Sequence, residues 1–185
     1  KQLKDFLISE GYSFISETDT ETVAKLLDYY YDGNPLDTIA KVIGEIKGSY
    51  ALGIIFRDFP DTVYAVRKDS PLIVGSGEGE NFIASDVPAI IHYTRDYYLL
   101  DTNDIAVVKK DSIRFYDVHK NEIYKDINTA DWDVDAAEKG GYEHFMLKEI
   151  HEQPTAVKTT ITPRIQEHMP DFTAEGFDKD KIIKK

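Results

Sequence analysis

Apolar residues in the first quarter of the chain recur at the three- and four-residue spacing of amphipathic helices. The spacing predicts three helices, over residues 2–11, 20–32 and 36–46. Gly11 and Gly33 follow the first two of them, as glycines commonly do at helix ends. The segment between the first two helices, residues 12–16, is predicted to be a short strand.

The start of the second helix carries the spacing of a capping box. Thr18 stands where the N-cap is expected, and Glu21 follows three residues later. We therefore expect the Thr18 side chain to cap this helix and the Glu21 carboxylate to bond back to the Thr18 amide.

The pattern changes near Ser49 from helical spacing to short apolar runs. Residues 49–57 form a near-continuous apolar run, which is typical of a strand covered on both faces. Six further strands are predicted, at 62–67, 71–75, 80–85, 96–100, 104–109 and 112–117. Their close spacing, with Gly, Pro, Asp and Asn between them, favours hairpins in an antiparallel sheet. Helices followed by many strands indicate an α+β fold.

The last third of the chain changes character again. Residues 126–141 are polar, acidic and end in two glycines, which is typical of a linker. Helical spacing returns after residue 142, but Pro154 is expected to break the segment into two helices that meet near Gln153. The tail, 166–185, is polar and charged, and we expect it to be partly disordered or docked on something absent from this chain.

Composition excludes several classes of function. The 185 residues include 34 acids against 22 Lys and Arg, a formal net charge of −12, which argues against nucleic acid and acidic membranes as partners. No apolar run is long enough to cross a membrane, and the first residues do not resemble a signal peptide. There is no cysteine, so the chain holds no thiolate nucleophile and no disulfide.

Few residues in the chain suggest chemistry by themselves. Ser16 to Glu21 form an acidic, hydroxyl-rich helix start, read either as a capped helix or as an Asp carboxylate held for a ligand ammonium. The glycines at 75, 77 and 79 lie between two predicted strands, which favours a hairpin turn over a phosphate-binding loop. His144 and His151, with Glu149 nearby, supply too few ligands to define a zinc site.

Several segments together resemble a known enzyme family. They are SETDTE at 16–21, KGSYAL at 47–52, SPLIVG at 70–75, GENFIASD at 79–86 and YEHFMLKEIHEQP at 142–154. Their order and separation resemble the glutamine–fructose-6-phosphate aminotransferases (isomerizing), over roughly residues 3–165. GENFIASD and HFMLKEIHEQP resemble this family more than other class II glutamine amidotransferases.

The resemblance implies a fold and a division of the chain. The family's glutaminase domain is an N-terminal-nucleophile (Ntn) hydrolase, an αββα sandwich with two antiparallel sheets. Residues 1–125 would be the later part of that domain, 126–141 a linker, and 142–185 a helical connector into a sugar-phosphate isomerase domain.

The resemblance also implies a function for the parent enzyme, which converts fructose 6-phosphate and glutamine to glucosamine 6-phosphate and glutamate. Asp19 matches the family aspartate that binds the α-ammonium of glutamine, and no cofactor is implied. The expected partners are glutamine, the isomerase domain of the same parent and a possible homo-oligomer, in the cytoplasm.

The departures from the family pattern leave alternatives open. The family's cysteine nucleophile, its arginine-bearing carboxylate-binding segment and its Asn-Gly oxyanion pair are expected upstream of Lys1, so the chain alone is expected to be inactive. A chain cut from a larger enzyme fits this pattern. So does a non-catalytic binding or regulatory protein on a degenerate amidotransferase scaffold, while a third reading is another class II amidotransferase with a different acceptor.

Overall fold

The structure, a computed structural model, describes residues 2–131, 139–166 and 169–176. The chain divides into two compact units, residues 1–132 and 133–185. The described helices are α1 (Gln2–Ser9), α2 (Asp19–Tyr30), α3 (Pro35–Glu45) and α4 (Phe145–Ile161). The strands are β1 (Tyr50–Ile55), β2 (Thr62–Lys68), β3 (Ile73–Ser76), β4 (Asn81–Ala84), β5 (Asp96–Leu99), β6 (Ile105–Lys109), β7 (Ile113–Tyr116), β8 (Glu122–Ile123), β9 (Asn128–Thr129), β10 (Ile165–Gln166) and β11 (Met169–Pro170). Short 3₁₀ turns occur at Val87–Ala89, Thr162–Arg164 and Thr173–Glu175.

The three N-terminal helices form where their periodicity predicts them, within two residues at each end. Gly11 follows α1 at φ +94°, a left-handed conformation that glycine adopts without steric cost. At the start of α3 the Asn34 side chain accepts hydrogen bonds from the amides of Leu36 and Asp37, and Pro35 takes the first helical position.

The short strand predicted for residues 12–16 is wrong, because this segment is irregular. The physical reason is local: the amides of Ile15 and Ser16 donate to the carboxylate of Glu21 on α2, not to a neighbouring strand.

Two antiparallel sheets follow the helices in the first unit. Sheet A has the order β1-β2-β6-β7-β8, and sheet B has the order β4-β3-β5-β9. Consecutive strands of each sheet pair in an antiparallel register, for example Tyr50 with Lys68 and Ile73 with Ala84. The antiparallel α+β prediction is therefore confirmed, and the glycine-rich segment after β3 forms the predicted turn into β4.

The helices cover one face of sheet A, and sheet B packs on the other face at β2, β6 and β7. Side chains from α1–α3 pack on alternate residues of β1, β2 and β6, and the fully buried members include Leu26, Ile39, Val66 and Ile105. The intervening positions point to sheet B, where Ala65, Ala106 and Phe115 pack with Val74 and Leu100. The alternation follows from the two-residue period of a strand.

A row of small residues lets the two sheets approach closely. Gly53, Ala65 and Ala106 are cross-strand neighbours, and the row of small residues ends at Phe115, the neighbour of Ala106 on β7. A Cβ placed on Gly53 would lie 2.7 Å from Cδ1 of Ile83 on β4. A side chain at position 53 would therefore need the end of the Ile83 side chain to move.

The apolar run at 49–57 does form a strand, but the prediction that both of its faces are covered is wrong for part of it. β1 is the first strand in the order of sheet A, so among the described residues one of its edges is unpaired. Separately, Ala51, Gly53 and Ile55 are exposed on the face of β1 that points away from the helices, and Ile55 is 69% exposed. Continuous hydrophobicity does not by itself distinguish a central strand from an edge strand.

Two short strands of the first unit were not predicted. β8 and β9 are two residues long, too short for a period-two pattern to be recognised. β9 lies inside the predicted linker 126–141 and pairs with β5 through Tyr97 and Asn128. Residues 132–138 of that linker lie outside the described residues, and the division of the chain at 125 and 141 stays a prediction.

In the second unit, the expectation of two helices meeting near Gln153 is wrong. α4 runs unbroken from Phe145 to Ile161 with Pro154 inside it. A proline within a helix removes the amide that would bond to the carbonyl four residues earlier, here that of Ile150. Ile150 and Pro154 are both exposed, so water can satisfy that carbonyl. Beyond α4, β10 and β11 form a small hairpin in the predicted polar tail; residues 177–185 lie outside the described part of the chain.

Candidate active site at the start of helix α2

Asp19 is the first residue of α2. Thr18, the N-cap, has extended backbone angles (φ −73°, ψ 143°), and the helix begins directly after it. Asp19 and Glu21 both lie in the first turn, where the helix dipole favours negative charge. The Asp19 side chain is exposed, and no described residue donates a hydrogen bond to its carboxylate.

A cleft of about 500 Å³ opens beside Asp19. It lies between the start of α1, the first turn of α2, the end of α3 and the strand β1. Its lining residues are Gln2, Leu3, Asp19, Thr20, Thr22, Val23, Glu45, Ile46, Lys47, Ser49, Tyr50, Ala51 and Leu52. Of its two carboxylates, that of Glu45 accepts a hydrogen bond from the Tyr30 hydroxyl at 2.5 Å, which raises the pKa of Tyr30 to about 12. That bond occupies one oxygen of Glu45, whereas both oxygens of Asp19 are open to a cationic ligand as far as the described residues are concerned.

A second cleft, of about 480 Å³, continues along β1 from the first. The two clefts share Thr20, Val23 and Leu52, and the second extends to Phe56 and Asp58. At the far end of this second cleft, the Tyr31 hydroxyl donates a hydrogen bond of 3.0 Å to the Asp58 carboxylate. A groove thus runs between α2 and the unpaired edge of β1 for the length of that strand, with Asp19 at one end.

The predicted capping box is wrong in detail. The Thr18 side chain makes no capping hydrogen bond, and its hydroxyl lies 2.9 Å from that of Ser16. The Glu21 carboxylate does reach back, but past Thr18: Ile15 N–H donates to Oε1 at 3.0 Å and Ser16 N–H to Oε2 at 2.7 Å. The Ser16 hydroxyl also donates to Oε2, at 2.5 Å. The sequence spacing identified Glu21 as the residue whose side chain bonds back to the preceding backbone, but it did not identify the amides that Glu21 binds.

These contacts change the acidity of Glu21. The hydrogen bond from the Ser16 hydroxyl, followed by that from the Ile15 amide, lowers the pKa of Glu21 to about 2. Lys25, one turn further along α2, lies 3.4 Å from Glu21 Oε1 and acts in the same direction. The carboxylate of Glu21 therefore stays charged over the whole neutral and mildly acidic range.

The histidines considered as metal ligands do not form a site in the described part of the chain. The ring of His151 stacks on Tyr142 with centroids 5.2 Å apart, and His144 lies 3.7 Å from Glu143. No group of three or more potential metal ligands occurs among the residues at 2–131, 139–166 and 169–176. Within the same ranges, no helix has the length and apolar character needed to span a bilayer.

Sequence comparison relates the chain to part of a group of enzymes. The chain is 60% identical over 163 residues to the glutamine–fructose-6-phosphate aminotransferase (isomerizing) of Caldanaerobacter subterraneus. It is homologous to one region of the glutamine–fructose-6-phosphate aminotransferases. The aminotransferase of Clostridium tetani is 54% identical over 164 residues, and that of Thermotoga maritima 38% over 172. These alignments cover 88%, 89% and 93% of the chain but only 27–28% of each aminotransferase, and no family model matches.

Solved structures agree on the fold. The glutamine phosphoribosylpyrophosphate amidotransferase of B. subtilis, complexed with ADP and GMP, superposes with a TM-score of 0.55 at 22% identity. The superposed region covers 65% of this chain and 27% of the amidotransferase. An allosteric regulatory enzyme of purine biosynthesis gives the same TM-score at 20% identity. The matched part of the chain therefore has the fold of part of an Ntn-hydrolase amidotransferase.

Proposed function

We propose that this chain is the part of a glutamine–fructose-6-phosphate aminotransferase that forms one wall of the glutamine site. The observation that carries the proposal is the 60% identity over 163 residues to an aminotransferase of that name. The parent reaction would convert glutamine and fructose 6-phosphate to glutamate and glucosamine 6-phosphate. The remaining length of the relatives would supply the rest of the glutamine site and the sugar-phosphate isomerase domain.

Asp19 would bind the α-ammonium of glutamine. Its exposed carboxylate at the rim of the 500 Å³ cleft, with no described donor, supports this role. A carboxylate and an ammonium form charge-assisted hydrogen bonds, which are about twice as strong as neutral ones. Removing such a bond costs about 1.5–3 kcal/mol, or roughly a 10- to 150-fold loss in kcat/KM for glutamine.

This chain alone would not hydrolyse glutamine. Acyl transfer from glutamine needs a nucleophile and a group that stabilises the oxyanion, and the family nucleophile is a cysteine. The 185 residues contain no cysteine. The chain would therefore bind and orient substrate in the longer enzyme, together with residues that it does not itself contain.

An assay of glutamine turnover and of its acceptor distinguishes the proposed enzyme from the two alternative functions. A longer polypeptide containing this region should release ammonia from glutamine and form glucosamine 6-phosphate, while the isolated chain should release none. Glutamine binding without turnover by the longer polypeptide would favour the non-catalytic scaffold. Turnover with an acceptor other than fructose 6-phosphate would favour another class II amidotransferase. A cytoplasmic location is expected with the proposed reaction, because its substrates are intracellular metabolites.

A further inference from the structure

The segment that leads into Asp19 has little packing of its own. Ile15 is 96% exposed, and the residues from 16 to 18 are irregular. Phe14 packs against the core, but the stretch after it has no buried apolar side chain and is held mainly by its polar contacts. Those contacts therefore decide how α2 begins and where its first carboxylate points.

One carboxylate holds this segment. Glu21 accepts from the consecutive amides of Ile15 and Ser16 with its two oxygens and from the Ser16 hydroxyl as well. All three donors lie outside α2, so Glu21 does not satisfy the amides of its own helix. Its role differs from that of an ordinary helix cap, which stabilises the first turn itself.

Two lysines fix the same segment from neighbouring helices. Lys4 on α1 donates to the carbonyl of Ser16 at 3.3 Å, and Lys25 on α2 pairs with Glu21. Both ammonium groups lie near the Phe14 ring, 4.6 and 5.2 Å from its centroid. The backbone of Ser16 is thus held through its amide and its carbonyl.

Ser16 passes this constraint on to the helix start. Its hydroxyl oxygen accepts from the Thr18 amide at 3.3 Å and lies 2.9 Å from the Thr18 hydroxyl. Thr18 is directly followed by Asp19. A continuous set of hydrogen bonds therefore joins Glu21 to the residue before the proposed ligand-binding carboxylate.

We infer that Glu21 is a positioning residue for Asp19: it holds residues 15–18 so that the Asp19 carboxylate faces the cleft in the orientation that binds the substrate ammonium. The inference rests on the proposed function of Asp19. A preorganised carboxylate binds more tightly than one that must first be ordered, because the ordering cost is then not taken from binding.

The test compares Glu21→Gln and Glu21→Ala in the longer enzyme, with glutamine hydrolysis as the assay. Gln keeps the shape, but it has one carbonyl oxygen for two amides, and its NH₂ group faces a donor. We expect KM for glutamine to rise by up to roughly 10-fold in the Ala variant, about the cost of ordering one side chain on binding. The Gln variant should show a smaller rise, and kcat should stay within a few-fold in both.

The split between KM and kcat distinguishes positioning from a purely structural role. A structural role would lower the yield of folded enzyme or kcat while leaving KM of the folded fraction unchanged, and that result would overturn the inference. Glu17→Gln is the matched control, because Glu17 is an exposed carboxylate in the same segment. It should leave both constants unchanged.

Asp19→Asn separates this inference from the proposal on which it rests. If Asp19→Asn leaves KM unchanged, the proposed function of Asp19 is wrong. If Asp19→Asn raises KM but neither Glu21 variant does, only the positioning inference is wrong. If Glu21 acts through Asp19, the double variant Asp19→Asn/Glu21→Gln should have a KM for glutamine only slightly higher than that of Asp19→Asn. The effects of substituting residues that act through one another are not additive.

Discussion

The helical layer that carries Asp19 is stabilised by the packing of α2 on its neighbours, and one substitution can measure how much this packing contributes to the free energy of unfolding. Leu26, on the buried face of α2, is fully inaccessible and packs among the side chains of α1, α3 and sheet A. Truncating it to alanine removes three carbon atoms from a closed core and leaves a cavity. Buried Leu→Ala substitutions cost about 2–5 kcal/mol, the range reflecting how far the surroundings relax. For a chain of this length that corresponds to a fall of about 4–20 °C in Tm.

The matched control is the same chemical change at an exposed position. Leu99 at the end of β5 is 53% exposed, so Leu99→Ala should cost under about 1 kcal/mol. Urea unfolding followed by circular dichroism, at a concentration low enough to avoid association, measures both free energies of unfolding. A Leu26→Ala loss equal to that of Leu99→Ala would refute the packing of α2 against sheet A.

Two further predictions concern the loop before α2 and the edge of sheet A. The pKa of Glu21 is lowered in the folded chain, so its stabilising contribution is complete above about pH 4.5 and is lost as pH falls toward about 2. NMR titration should place the midpoint of the Glu21 carboxyl near pH 2, and the amide chemical shifts of Ile15 and Ser16 should change with the same midpoint. A midpoint near 4.5 would contradict the hydrogen bonds to Glu21. The unpaired edge of β1 should make the isolated chain self-associate, and Ile55→Lys should reduce this in sedimentation equilibrium, because charge on an edge strand opposes pairing. A wild-type chain that is monomeric at high concentration would count against it.

The sequence predicted the elements whose signal is periodic and long. α2 and α3 have apolar residues at each turn, and the central strands are bounded by turn residues, so both helix positions and the antiparallel class follow from pattern alone. Elements set by tertiary contacts could not be predicted in this way. β9 is two residues long and exists because β5 pairs with it, and Pro154 is tolerated because its helix face is exposed.

In the candidate site, too, the features set by tertiary contacts could not be predicted from the sequence pattern. Asp19 was identified from the segment SETDTE through its resemblance to a family, and neither composition nor spacing distinguished it from a helix cap. The contact between Glu21 and the Ser16 amide depends on the path of the loop, which no spacing rule specifies. The pairing of Tyr30 with Glu45, which occupies one oxygen of the other carboxylate at the cleft, joins two helices and was likewise not predicted.

The central claim is that the Asp19 carboxylate binds the ammonium of glutamine. Steady-state glutamine hydrolysis by Asp19→Asn in the longer enzyme tests it most directly, because the substitution keeps the shape and removes the charge. The account predicts a roughly 10- to 150-fold lower kcat/KM for glutamine, with fructose 6-phosphate binding unchanged as the control. Unchanged glutamine kinetics in a correctly folded variant would contradict it and leave Asp19 as the first residue of a helix.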